Sequence, residues 1–276
     1  MTAAFLTSPP SSFGPSILWT TVATAAVMIA LWLIHLRTRN GALVDFGWSL
    51  CLGLSAIAQG VWGEAPLPRR ILLATIVGLW SARLTHHVWV ERLWKQEEEA
   101  RYQALRRRWG ERAAPLFLLF FLAQALLVGI LTIPFVLVAH NPTPALSPTD
   151  LAALVLFPVA FALEWLADAQ LARFRKTAPP GKRICDQGLW AWSRNPNYFF
   201  EVCQWVAFAL PAIGAPGGWL AWIGPGLILL FVTKITGIPP KELHMRRTRG
   251  EAWERYAQRT SRFVPWPPRR EAEETS

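Results

Sequence analysis

Five ionisable side chains stand inside stretches that are otherwise apolar: Asp45 in LVDFGWSL, Arg83 in LWSARLTHH, Glu164 and Asp168 in LEWLADAQLARF, and Glu201 at the start of a further apolar run. Such a group at bilayer depth costs about 3 kcal/mol on insertion scales, so each needs a partner, a water-filled cavity or a function. Asp45 with Arg83 is the simplest structural pair. Glu164 and Asp168 are four apart on one helical face, a repulsive arrangement unless cations or a ligand's donors lie opposite. Shortly before Glu201, the segment DQGLWAWSRNPNYFFE gathers Trp190, Trp192, Arg194, Asn197 and Tyr198 around a turn broken by Gly188 and Pro196. A helix N-cap followed by a Pro turn accounts for Asn195 and Pro196 but not for the glutamate after them. The tail TGIPPKELHMRRTRGEAWERYAQRTSRFVPW adds Glu242, Arg246, Arg247, Arg249 and Tyr256. Taken alone, such a tail is a topology signal or an anionic-lipid contact.

The elements that must position these groups are membrane helices. Of 276 residues, 53% are hydrophobic and 17% charged, and the apolar ones come in long blocks rather than along amphipathic faces. Disorder, a fibrous repeat and a small disulfide scaffold are excluded. Seven blocks are long enough, or nearly so, to cross about 30 Å of hydrocarbon: 17–36, 42–62, 71–90, 114–139, 150–171, 198–213 and 219–237. The expected fold is therefore all-α, a polytopic integral membrane protein of about seven transmembrane helices. Residues 1–16 have neither a charged n-region nor a small-residue cleavage site, so the first block reads as a retained span.

The net charge of +10 is a matter of loops. Two cations fall in 37–40, seven in 91–113, six in 172–197 and nine in 238–276, which is 24 of the 28 Lys and Arg. With seven spans those four segments share one side, and the positive-inside rule puts the C-terminus in the cytoplasm and the N-terminus outside. Arg69 and Arg70 are then the extracytoplasmic cations. A nucleic-acid partner is not needed to explain the charge, and no obligate protein partner is evident. Trp19, Trp62, Trp89, Trp94 and Trp219 sit near span ends, where indoles prefer the interface. The three cysteines form no CxxC and have no His at metal-ligand spacing, so they read as free thiols with no metal site. There is no GxGxxG, GxxxxGK[ST], HExxH or GxSxG, so a bound nucleotide would be held by neither a Rossmann domain nor a P-loop.

In order along the chain, these residues resemble the steroid 5α-reductase superfamily, and its bacterial branch most of all. The resemblance covers residues 40–268. It rests on Val44-Asp45 with Trp48, Leu79-Trp80-Ser81-Ala82-Arg83-Leu84, Arg101-Tyr102, Glu164 with Asp168, Gln170 and Phe174-Arg175, and Gly188-Leu189-Trp190. It continues through Ser193-Arg194-Asn195-Pro196-Asn197-Tyr198 with Glu201, and Gly237-Ile238-Pro239 with Glu242, Gly250, Trp253, Tyr256 and Pro265. What it implies is one transmembrane domain, with substrate-side helices over 17–139 and a cofactor region over 150–268, in a bacterial inner membrane. It implies NADPH bound from the cytosol and hydride transfer to an activated carbon–carbon double bond of a lipophilic substrate entering from the bilayer. Carried over by position, Glu164, Asp168, Arg175, Trp190, Arg194, Asn197, Tyr198, Glu201 and Glu242 lie about the cofactor, and Arg246, Arg249 and Tyr256 toward its adenosine and phosphate end. Forked guanidinium groups suit phosphates, and carboxylates and amides suit ribose hydroxyls and a carboxamide.

The substrate end departs from the steroid enzymes, which hold the substrate carbonyl with a Glu and a Tyr. Here Asp45 stands in place of the Glu and Trp80 in place of the Tyr, so the expected substrate-polarising group is Asp45 with Arg83 or His86. The turn and tail are also similar to those of isoprenylcysteine and phospholipid methyltransferases, which would imply S-adenosylmethionine. The Glu164 to Arg175 segment and the arginine cluster belong to the reductase pattern instead. A transporter would show inverted repeats and broken midplane helices, and neither is visible in the sequence.

Overall fold

The structure, a computed structural model, describes residues 6–94, 98–179 and 184–269. Among these it is all helical, with no strand beyond an isolated bridge between Ser193 and Ser261. The helices are α1 (Phe13–Thr38), α2 (Leu43–Trp62), α3 (Leu67–Val88, continued by a π turn, Trp89–Trp94), α4 (Ala100–Trp109), α5 (Ala113–Leu131) and α6 (Ile133–Ala139). They continue with α7 (Pro148–Thr177), α8 (Leu189–Trp192), α9 (Pro196–Ala209), α10 (Ile223–Leu230), α11 (Ile238–Arg249) and α12 (Glu251–Arg259). The chain divides into two compact units, Met1–Ala153 with Phe208–Gly224, and Leu154–Ala207 with Pro225–Ser276.

Six helical stretches among the described residues are long and apolar enough to cross a membrane: Phe13–Thr38, Leu43–Trp62, Leu67–Trp94, Ala100–Ala139, Pro148–Thr177 and Gly218–Arg249. The sequence count of seven is corrected at the block 198–213. There α9 is a 14-residue helix, about 21 Å at 1.5 Å per residue. It gives way to a 3-10 turn, Leu210–Ala212, because Pro211 offers no N–H to continue the helix. The second unit brings the turn before α9 and the 261–266 segment together, since Arg194 N donates to Ser261 O (2.8 Å) and Trp266 N to Trp192 O (2.9 Å).

In the first unit, close helix approach is set by small residues, as expected where lipid is as apolar as the side chains. A Cβ on Gly53 would collide with the Ser81 side chain, and one on Gly60 would lie 3.1 Å from Arg70 O. Ser81 Oγ donates to Ser49 O (2.7 Å) and Thr85 Oγ1 to Ser49 Oγ (3.0 Å), tying α3 to α2. Between these two helices a cavity of about 370 Å³ is lined by Phe46, Leu54, Ile57 and Trp89 among others, with Gly53 and Gly78 making the room. Met28, Phe117, Phe121 and Tyr102 form the core between α1, α4 and α5. The five tryptophans assigned to an interfacial belt are all exposed. Arg69 and Asp150 are wholly buried as a pair.

Candidate functional site

The polar residues of the second unit lie along the facing sides of α7 and α9 and on the tail that docks beside them. On α9, Asn197, Glu201 and Gln204 follow at helical spacing and share a face. On α7, Glu164 and Asp168 do the same. Two side-chain bonds join them: Asn197 Nδ2 donates to Asp168 Oδ1 (3.2 Å), and Gln204 Nε2 donates to Glu164 Oε2. The amides therefore turn their N–H groups toward the carboxylates, and Asn197 Oδ1 and Gln204 Oε1 are left buried without a donor. Such an atom costs about 1–3 kcal/mol unless something supplies an N–H or O–H. Glu201 Oε1 accepts from Trp205 Nε1 (3.2 Å). The seam is rich in acceptors, which is chemistry for a ligand bearing N–H or O–H groups or positive charge.

The turn before α9 is held by the tail. Tyr256 Oη donates to Trp190 O (2.6 Å) and lies 3.4 Å from Ser193 O, while Trp190 Nε1 donates to Ala167 O of α7 (2.9 Å). Burial pushes the Tyr256 phenol well above its ordinary pKa, with Cys185 adding to the effect, so it stays a donor at any physiological pH. Arg194 pairs with Glu242 (3.1 Å), donates to Ala257 O (3.1 Å) and stacks over Trp253 (5.6 Å). Burial lowers its pKa, partly offset by Glu242, yet an arginine remains charged throughout. Trp190 and Tyr256 thus spend their polar groups inside the protein, Arg194 does so but for a buried Nε without an acceptor, and the three form the frame of the site. Arg175, Arg246 and Arg249 are exposed, and Arg246 reaches Glu254 (3.2 Å).

Lys241 is a residue that the sequence reading left out. Its Nζ donates to Asn195 Oδ1 (2.9 Å) and sits over the rings of Trp190 (4.8 Å) and Tyr198 (5.4 Å). Asn195 Nδ2 in turn donates to Arg262 O (2.9 Å). The only signal in the sequence is a lysine directly after Pro239-Pro240, where α11 begins. Gly188 is required by the same frame. It has φ 60° and ψ −133°, and an added Cβ would lie 2.6–2.7 Å from the amide of Gln170, whose Oε1 accepts from Leu189 N (3.0 Å). Gly188→Ala is expected to destabilise the chain by about 1–3 kcal/mol, the cost of a conformation that other residues rarely adopt. A thermal melt of the variant in detergent checks it, and an unchanged midpoint would contradict the assignment.

The first unit holds Asp45 and Arg83, and the expected pair between them is corrected. Asp45 Oδ2 accepts from Arg92 Nη1 (2.7 Å) and from Arg101 Nη2, and the Tyr102 ring, under the Arg101 guanidinium (4.5 Å), stands beside the same carboxylate. Arg92 and Arg101 also meet Glu99, at 2.5 and 2.7 Å. The pairing follows from the π turn after α3, which carries Arg92 to the start of α2, where Asn40 Nδ2 holds its backbone carbonyl (2.9 Å). Arg83 lies nine residues earlier, on α3, and is half-buried. Trp80 is a core residue at 1% exposure, edge-on to Trp48 and Phe208 at 5.9 Å each. Arg101-Tyr102 was visible as a motif, but not that it reaches Asp45, because 56 residues separate them.

A family model described as a protein of unknown function (DUF1295) matches residues 31–260. An uncharacterized protein of Schizosaccharomyces pombe is 28% identical over 217 residues, covering 70% of this chain and 63% of the relative. The chain thus spans less than two thirds of that relative's length. No solved structure matches. With 230 of its residues inside that model, an order of membrane-type helices to go with them, and the Asp168 to Asn197 seam lying within the matched range, the chain belongs to the DUF1295 family, part of the steroid 5α-reductase-like group.

Proposed function

We propose that the protein is a membrane reductase that binds NADPH through its second unit and reduces an activated carbon–carbon double bond of a lipophilic substrate. The observation that carries this reading is the buried Asn197 Oδ1, left without a donor by the Asp168 bond, in the unit whose basic tail docks on the turn before α9. A nicotinamide carboxamide or ribose hydroxyl offers the N–H or O–H that this oxygen lacks. Arg175, Arg246 and Arg249, exposed on the same unit, carry the charge that a dinucleotide phosphate needs. The donor set therefore fits the group, with Asp168, Asn197, Tyr198, Glu201 and Glu164 holding the polar face and Trp190, Arg194, Glu242 and Tyr256 keeping the turn in place.

When bound, the nicotinamide supplies the hydride. The rest of the work falls to this chain's own residues. Asp168 fixes the amide of Asn197 in one orientation, so the ligand meets an acceptor rather than a rotating side chain. In the first unit, the Tyr102 phenol beside Asp45 offers an O–H for the carbonyl oxygen of the lipophilic substrate. That is the part Trp80 cannot play, since an indole N–H does not deliver a proton. Arg92 and Arg101 orient Asp45.

A second reading has an observation of its own. The α7 and α9 seam offers carboxylates and amide oxygens, which also suit the sulfonium and amine of S-adenosylmethionine in a membrane methyltransferase. Thermal shift separates the two, because a ligand bound only by the folded state at 100 times its Kd stabilises by about 2.7 kcal/mol. NADPH is expected to raise the melting temperature of the detergent-solubilised chain and S-adenosylmethionine to leave it unchanged. The reverse result would replace the reductase by the methyltransferase.

A further inference from the structure

We propose that Trp192, Val264 and Trp266 form an interfacial anchor that seats the C-terminal segment on the bilayer surface, with Arg262 and Arg269 toward the lipid phosphates. The three apolar side chains are 47%, 52% and 69% exposed. Trp192 and Trp266 are neighbours, because Trp266 N donates to Trp192 O (2.9 Å), and Val264 lies two residues before Trp266, exposed like it. Phe263, next to Val264 in the chain, packs against Phe199 (5.6 Å). Phe263 thus commits the segment to the protein, while Val264 and Trp266 leave apolar surface outside it.

The level of the patch along the membrane normal identifies what covers it. Helix α7 begins at Pro148, and about 20 residues at 1.5 Å each carry it across 30 Å of hydrocarbon. That length ends at Ala167, the residue whose carbonyl accepts the Trp190 indole. The 188–193 turn, and the 261–266 segment bonded to it, therefore lie at the hydrocarbon boundary, while the last ten residues of α7 project beyond it. At that depth an indole finds both apolar chains for its ring and water or headgroup oxygens for its N–H. Arg262 and Arg269 are exposed beside the patch, Arg262 with its Nε on Glu242 (3.2 Å) and its side chain still half open, and cations near an anionic surface add about 1 kcal/mol each. The composition suits a lipid interface, and it gives the docked tail a second attachment besides Tyr256 and Lys241. The anchor does not depend on which ligand the seam takes.

The test uses the full chain in nanodiscs of phosphatidylcholine with and without phosphatidylglycerol. A bimane is placed on Val264→Cys in a background of Cys51→Ala, Cys185→Ser and Cys203→Ala, with Gln258→Cys on the exposed side of α12 as the control. The label at 264 is expected to emit to the blue of the control, to lose most of the iodide quenching that the control shows, and to be quenched more by lipids with a nitroxide near the headgroup than at the chain end. Phosphatidylglycerol is expected to raise the nitroxide quenching and high salt to reverse that rise. Iodide quenching equal to the control, or shielding from both quenchers as under a protein partner or a second copy, overturns the anchor. Where the cysteine-free chain does not fold, p-benzoylphenylalanine in place of Val264 gives the second measurement. Crosslinks to lipid support the proposal, and crosslinks to protein alone, or none, overturn it.

Discussion

Arg69→Met is expected to lower the stability of the folded chain by about 3–5 kcal/mol, the cost of leaving a buried carboxylate unpaired. Arg69 donates through Nε and Nη2 to both oxygens of Asp150 (2.8 and 2.7 Å). The same guanidinium also binds the carbonyls of Asn141 (3.0 Å), Thr143 (2.7 Å) and Pro144 (2.9 Å). Asp150 in turn accepts from Ser147 N and Oγ (2.9 and 2.8 Å). One arginine therefore closes the connection between α6 and α7, where breaker-rich sequence gives the backbone no helix to satisfy its carbonyls. The double variant Arg69→Met with Asp150→Leu is expected to recover part of the loss. It removes the stranded charge but leaves three carbonyls without their donor. Chemical denaturation in detergent micelles measures both, and a single variant as stable as wild type would show that water reaches Asp150.

Tyr102→Phe is expected to lower turnover of an identified substrate by about 10²–10⁴-fold, the range for loss of a positioned proton donor. The NADPH-dependent rise in melting temperature is expected to remain, because Asp168 and Asn197 are untouched. The phenol is 2% exposed, its ring lies under the Arg101 guanidinium (4.5 Å), and Gly41 has no Cβ because that atom would fall within the ring. Phenylalanine keeps all of that packing, so the substitution separates the hydroxyl from the fold. Asp45→Asn is the companion variant, removing the charge that Arg92 and Arg101 hold. Full turnover in both would move the acid elsewhere in the first unit and leave the nucleotide site standing.

Much of the fold was legible in the sequence because membrane helices announce themselves locally. A run of apolar residues long enough to cross hydrocarbon is a property of adjacent residues, and six of the seven blocks are present as such helices. The block 198–213 was misread because hydropathy does not register where a helix ends, and Pro211 ends this one. The pairing of Glu164 with Asp168 on one face of α7 followed from the helical period alone, as did the polar character of the 186–201 turn.

The partners were decided by tertiary structure. Asp45 was matched with Arg83 on hydropathy, since both lie at the edges of apolar blocks. The π turn Trp89–Trp94 and the start of α4 bring Arg92, Arg101 and Tyr102 to it instead. Lys241 went unnoticed because a lysine in a basic tail looks like any other until its ammonium is found over two aromatic rings. Sequence by itself determined that this chain is a helical membrane protein with acidic groups at helix ends and a basic tail, since burial cost and helical period act within a few residues of each other. Only the folded chain decided which cation meets which carboxylate and that the tail locks onto the turn before α9, because those choices depend on segments tens of residues apart reaching the same 3 Å contact.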